Sequence, residues 1–276
     1  MRTRDLVLGA VAYDPKVVAI WDGFRAYFAG HGLPFDFVLY SNYERQVEAH
    51  LRGDIDVAWN SPLAWIQAER AASAAGRTAQ AIAMRDTDRD LTSVVLVRAG
   101  DPIATAAELA GKRIGVGAAD SPQATLIPQL ALAEAGVTGT VVRHDVLLGK
   151  HGDHVGGERK AVEALLAGEV DCACVIDGNR LAFAREGLFA PAALRVVLQT
   201  APYDHCNFTV LDGGPPPVAR FRELLLAMSY ADPAVRPLLD LEGLKAWQPG
   251  RTSGYGLLAR AVDRFGMPFA EPDAPA

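Results

Sequence analysis

Imidazole and carboxylate groups crowd one short stretch, HDVLLGKHGDHVGGE, which carries His144, Asp145, His151, Asp153, His154 and Glu158. Such nitrogen and oxygen donors suit zinc or iron. Against this, glycines at 149, 152, 156 and 157 make the stretch a loop of solvated histidines, with no helix-borne spacing to fix ligands. Asp204, His205 and Cys206 form a second polar cluster. Should the two clusters meet, His154, His205 and Cys206 would hold a metal or act on a substrate together with Glu158. Cys172 and Cys174 alternate on a strand and share a face, as two thiolate ligands or as buried structural cysteines among Ala173, Val175 and Ile176.

Ser121 followed by Pro122 has the chemistry of a helix start, because the hydroxyl can cap free N–H groups and proline has no donor to leave orphaned. Such a terminus can bind an anion. Pro128 then predicts a kink or a later true start. GVGAAD at 115–120 opens like a dinucleotide fingerprint, but Asp120 stands where the third glycine belongs and would repel pyrophosphate. The chain has no Gly-x-Ser-x-Gly elbow, Walker loop or His-Glu-x-x-His helix.

Val/Ile-rich runs alternate with amphipathic stretches, the pattern of layered α/β packing. Residues 6–12 and 35–40 read as strands, and between them Val17, Ile20, Trp21, Phe24 and Phe28 recur at helical spacing until Gly30 and Gly32. An internal repeat is more informative. VEAHLRGDIDVA (47–58) and VEALLAGEVDCA (162–173) match in Val, Glu, Ala, Leu, Gly, Asp and Ala. Each reads as a helix ended by a left-handed glycine, Gly53 or Gly168, with a strand after Asp56 or Asp171. Two lobes of like topology follow. Ligands in open α/β sheets sit at the carboxyl ends of parallel strands, so Asn60 and Ser61 in one lobe and Asp177 in the other become candidates. Tyr43, Trp59 and Trp65 fit either the wall of a small-ligand site or a packed core.

The chain has 276 residues, half of them hydrophobic, with a formal net charge of −6. That composition excludes disorder, and no apolar run is long enough to span a bilayer, so membrane insertion is not expected. The acidic balance and scattered Arg and Lys argue against nucleic acid as a partner. Three cysteines do not form a disulfide framework. The opening apolar segment, LVLGAVAY, meets Asp14 and Pro15 too soon for a signal-peptide core. The sequence as it stands therefore reads as cytoplasmic, or as periplasmic if a leader was removed.

The order of LVLGAVAYDP, YERQVEAHLRGDIDVAWNSPLAW, DLTSVVLVRAGDPIATAAELAGKRIGVG, ADSPQATLIP and ERKAVEALLAGEVDCACVIDGN resembles type II solute-binding proteins of the phosphonate/phosphite/phosphate ABC-importer group. The resemblance runs over most of the chain. It implies an α/β fold of two lobes around a central cleft, and we place residues 1–97 and 200–276 in the first lobe and 98–199 in the second. It also implies a small-molecule ligand, an importer permease as partner and no cofactor, with zinc or iron left open by the histidine clusters. Tyr43 matches the tyrosine ahead of the family's first-lobe helix, and Ser121 matches the first residue of a Ser-Thr-Ser run that grips phosphonate oxygens. Pro122 and Gln123 follow in place of the other two, Leu91 stands where a tyrosine is usual, and Glu158 where a histidine is usual.

The expected ligand is thus small and polar, anionic or zwitterionic. Tyr43, Asn60, Ser61, Ser121, Gln123 and Thr125 would serve its acidic end, and Glu158 or Asp177 an amine. A cytoplasmic enzyme on the same fold, using the His/Asp/Cys groups, is the alternative.

Overall fold

The computed structural model describes residues 5–145 and 154–268, which divide into two compact units. Unit 1 comprises residues 1–89 and 204–255, and unit 2 comprises 90–203 and 256–276. The chain therefore crosses between them at three points.

Unit 1 opens with β1 (Leu6–Val11), α1 (Lys16–Gly30), β2 (Phe35–Tyr40), α2 (Tyr43–Arg52), β3 (Val57–Asn60), α3 (Pro62–Ala74) and β4 (Ala79–Arg85). In unit 2 follow β5 (Ser93–Arg98), β6 (Arg113–Val116), α4 (Ile127–Glu134), β7 (Thr140–Arg143), α5 (His154–Leu166), β8 (Cys172–Ile176), α6 (Asp177–Arg185) and β9 (Leu194–Gln199). The chain returns to unit 1 for β10 (Asn207–Leu211), α7 (Pro217–Ala227), α8 (Arg236–Glu242) and β11 (Trp247–Pro249), and ends in unit 2 with α9 (Gly256–Phe265). Strand order is β11-β4-β10-β3-β1-β2 in the first sheet and β7-β6-β8-β5-β9 in the second.

The repeat occupies equivalent places. β3 is parallel to β1 and antiparallel to β10, and β8 is parallel to β6 and antiparallel to β5. Gly53 and Gly168 both cap their helices in the left-handed region, at φ 80° and 78°. Each of the next residues sends its N–H back to the helix, Asp54 to Ala49 O and Glu169 to Ala164 O. The matched aspartates then make the same pair of bonds. Asp56 N–H donates to Val7 O (2.8 Å) while its carboxylate accepts Val7 N–H (2.9 Å); Asp171 N–H donates to Arg113 O (2.9 Å) and accepts Arg113 N–H (2.8 Å). One aspartate thus sets the register of each parallel pair by closing the ladder at its first residue.

An aromatic core fills one face of the first sheet. On α1, Trp21, Phe24 and Phe28 are buried against Phe208, Phe221 and Trp247, with Phe28 and Phe221 rings 5.0 Å apart. Each such burial stabilises the unit by about 1.5–3 kcal/mol. Among the described residues, 90–97, 200–203 and 256–268 fall in unit 2. β5 and β9 pair with each other in the second sheet, and α9 buries Leu258, Ala261 and Val262 beside α4, where Arg260 pairs with Glu134 at 3.5 Å.

His50 lies buried on α2, and that burial, with the Arg77 charge acting in the same direction, pulls its imidazole down to about 4 despite the opposing pull of Asp56. Unfolding restores an ordinary value near 6.5, so the unfolded chain takes up the proton first. Stability is full above pH 6.5 and lost as pH falls towards 4. His50→Leu is expected to flatten that slope in acid titrations followed by tryptophan fluorescence; an unchanged slope would place the titrating group elsewhere.

Candidate functional site

In unit 2 the site grows from the ends of β6 and β8. Ser121 caps the helix start as its type and spacing predict, Oγ accepting Ala124 N–H at 3.2 Å. Pro122–Leu126 form one wide turn, with Leu126 N–H reaching Ser121 O and Ile127 N–H reaching Pro122 O. Pro128 explains the irregularity. It has no N–H for Ala124 O, and that carbonyl instead accepts Gly117 N–H at 3.3 Å. A side chain at Gly117 would stand 2.9 Å from Ala124 Cβ, so the glycine allows this approach. Thr125 Oγ1 donates to Ala118 O (2.7 Å) and closes the same loop.

Glu158 is the centre of this site, on α5. Gly157 lets the helix come this close, because a Cβ there would lie 2.7 Å from His144 O. Among the described residues the Glu158 carboxylate accepts Ile176 N–H (2.9 Å) and Asn179 Nδ2 (3.1 Å) on Oε2, and only a long contact from Gln123 Nε2 (3.3 Å) on Oε1. Burial pushes it up to about 7, against the downward pull of these donors and of His154. Behind Gln123, Ser93 Oγ donates to its carbonyl oxygen (2.5 Å), so the Tyr203 hydroxyl must donate to Ser93 (2.7 Å). Asp177 is turned to Arg180 at 2.6 Å.

The histidine loop divides between support and rim. His144 Nδ1 lies 3.1 Å from Val116 O, Asp145 accepts Ala119 N–H (3.0 Å), and His154 Nε2 lies 3.2 Å from Asp120 Oδ1. His151 and Asp153 lie outside the described residues. Burial pushes the Cys172 thiol up to about 12 and Cys174 well above its ordinary value, so both are protonated members of the β8 core.

In unit 1, Asn42 caps α2 ahead of the buried Tyr43, and Ser61 caps α3 by accepting Ala64 N–H at 3.2 Å. Asn60 has no exposed surface. It accepts from Gln46 (2.8 Å) and donates to Thr209, which donates to Asn207; Asn207 donates to the Tyr255 hydroxyl, and that hydroxyl to His205 O. Trp59 and Trp65 are core residues, stacked near Phe208 and Tyr255.

A charge cluster at the end of β4 has no counterpart in the sequence reading. Arg85 donates to both Asp88 oxygens (2.6 and 2.9 Å) and to the Glu242 carboxylate (3.2 Å), with Trp59 5.3 Å away beneath its guanidinium. Asp88 is held down at about 2 by Arg85 and His205, although burial alone would raise it. The only sequence signal was the run MRDTD at 84–88. His205 Nδ1 lies 3.1 Å from Cys206 Sγ and 3.5 Å from Asp88 Oδ1, a set of donors with the spacing of a metal site. The Arg85 cation on Asp88 opposes a second cation there. Burial holds the Cys206 thiol well above its ordinary value, protonated and a weak nucleophile. His154 belongs to the other unit.

Two α/β units, each with capped helix starts and polar side chains at strand ends, define the class of two-lobed binding proteins. The sequence matches the family described as ABC transporter, phosphonate, periplasmic substrate-binding protein over residues 10–255, and the chain belongs to that family of small-ligand binders for ABC import. No curated protein sequence matches it. Among solved structures it is similar to PhnD1 from Prochlorococcus marinus in complex with methylphosphonate, at 17% identity and TM-score 0.66, covering 95% of this chain and 98% of that one. XAC2383 from Xanthomonas citri bound to ATP gives 18%, 0.71, 95% and 98%. The aliphatic sulphonate binding protein SsuA from Escherichia coli gives 17%, 0.54, 95% and 87%. At these identities the likeness is one of fold.

Proposed function

We propose that this protein binds a small carboxylate-bearing or zwitterionic ligand in preference to a simple phosphonate, and delivers it to an ABC importer permease from the periplasmic side. Glu158 carries the reading. It is a buried carboxylate beside the helix start that would grip a phosphonate, and its negative charge opposes a dianion. Pro122 and Gln123 remove two hydroxyl donors, each charge-assisted bond being worth about 1.5–3 kcal/mol. In this reading Ser121 and Gln123 are the ligand contacts of unit 2, with Thr125 closing the loop beside them, and Tyr43, Asn60 and Ser61 are the candidate residues of unit 1. Asp177, the other carboxylate candidate for an amine, is held by Arg180 at 2.6 Å. Zinc or iron is not required; Asp88, His205 and Cys206 are the donors that would hold it.

Calorimetric titration of methylphosphonate, phosphite, phosphate and a panel of small carboxylates and amino acids tests the ligand class. Simple phosphonates, phosphite and phosphate are expected to bind weakly, and Ser121→Ala and Tyr43→Ala each to lower affinity for the best carboxylate. Submicromolar binding of methylphosphonate would overturn the reading and show that backbone N–H groups suffice.

A further inference from the structure

Two acceptor atoms in unit 2 lack the donors that burial demands. Gln123 is 6% exposed and its Oε1 has no hydrogen-bond partner among the described residues. Glu158 is 0% exposed, and among the described residues its Oε1 receives only the 3.3 Å contact from Gln123 Nε2, while both good donors sit on Oε2. A buried acceptor without a donor is costly, and the 3.3 Å contact between Gln123 and Glu158 puts these two acceptors on adjoining side chains. Asn179 and Ile176, the donors on Oε2, are partly exposed, so the buried carboxylate lies one side chain from the surface.

We propose that Glu158 Oε1 and Gln123 Oε1 form a subsite for the primary ammonium group of a zwitterionic ligand. This rests on the small-polar-ligand reading above and narrows it to amines. A quaternary or carboxylate group supplies no N–H, whereas an ammonium offers three donors and the compensating charge. The groups facing Glu158 leave that role open. His154, on the same helix, is engaged with Asp120; Tyr203 offers a hydroxyl committed to Ser93; Gln123 and Asn179 are neutral amides; and Asp177 is paired with Arg180. No Lys or Arg pairs with the Glu158 carboxylate among the described residues.

Binding then exchanges ions. Below neutrality the empty site holds a proton on the Glu158 carboxyl, and the arriving ammonium displaces that proton to solvent. Charge balances, with one cation entering and one leaving. With the carboxyl titrating at about 7, affinity for an amine is expected to fall about tenfold between pH 8 and pH 6.

The test is calorimetry with two matched pairs, β-alanine against propionate and aminomethylphosphonate against methylphosphonate, at pH 6 and 8 in buffers of different ionisation enthalpy. The amine of each pair should bind at least tenfold tighter at pH 8 and release close to one proton per ligand at pH 6. Glu158→Gln should abolish the pH dependence and the proton release. Gln123→Leu should weaken the amines while keeping the pH dependence, which separates loss of the subsite from loss of fold. Equal binding of amine and amine-free partners, or binding without proton release, overturns the subsite and leaves the small-polar-ligand reading standing. Binding by none of the four at millimolar concentration counts against both.

Discussion

Arg85→Met is expected to destabilise unit 1 by about 3–5 kcal/mol, the cost of leaving a buried carboxylate without its partner. Arg85 serves two carboxylates at once, Asp88 through both oxygens and Glu242 at 3.2 Å. Asp88 is 1% exposed and cannot turn to water when the guanidinium is removed. Its carboxyl sits at about 2 against an ordinary 3.8, so the pairing contributes stability above pH 3.8 that is lost as pH falls through 2. All four tryptophans, Trp21, Trp59, Trp65 and Trp247, lie in unit 1. Urea unfolding followed by their fluorescence therefore reports this unit, and the midpoint should fall by on the order of 1–2 M. Adding Asp88→Asn to Arg85→Met should recover part of the loss, because the orphaned charge is what costs most. A loss below about 1 kcal/mol would show that water replaces the guanidinium and that the cluster is effectively a surface pair.

The run at 84–88 did not reveal this cluster in the sequence, for a simple reason. Arg85 and Glu242 stand 157 positions apart, and nothing local marks either as a buried ion. The partner of Asn60 was hidden in the same way: at a strand end it has the type and place of a ligand contact, and its amide donates to Thr209, 149 positions on. Whatever depended on local backbone geometry was legible. The left-handed glycines and the matched aspartates made the two helix-turn-strand units readable, and Asp56 and Asp171 are matched because each closes the same ladder. Pro128 announced an irregular helix start, and its missing N–H is the cause. The apolar stripe of α9 does not name its neighbour, since one apolar face fits either sheet's covering layer and only packing beside α4 decides. Gln123 and Glu158 were legible as departures from the family pattern; their convergence became visible only when α5 was seen against the helix start.

Glu158→Gln is expected to stabilise unit 2 at pH 8 by about 3 kcal/mol, although it removes the charge at the centre of the site. The folded carboxyl sits at about 7 and its ordinary value is 4.5. A group raised in the folded state binds its proton more tightly there, so its contribution is full below pH 4.5 and is lost as pH rises through 7. A rise from 4.5 to about 7 corresponds to about 3 kcal/mol, with the donors Ile176 and Asn179 retained in the variant. A glutamine keeps one oxygen for those donors, and once the Gln123 amide turns over, the new amide donates to Gln123 Oε1 in place of the present Gln123 Nε2 contact. Unit 2 has no tryptophan, so hydrogen exchange of the β8 amides is the measurement, at pH 5 and 8 with correction for the intrinsic rate. Protection in the variant should exceed that of the parent at pH 8, and the two should converge towards pH 5. The opposite order would mean that the three donors already compensate the charge, and the carboxylate would then belong to the framework of unit 2. A carboxylate that costs the empty protein stability at neutral pH is the mark of a group retained for what it binds.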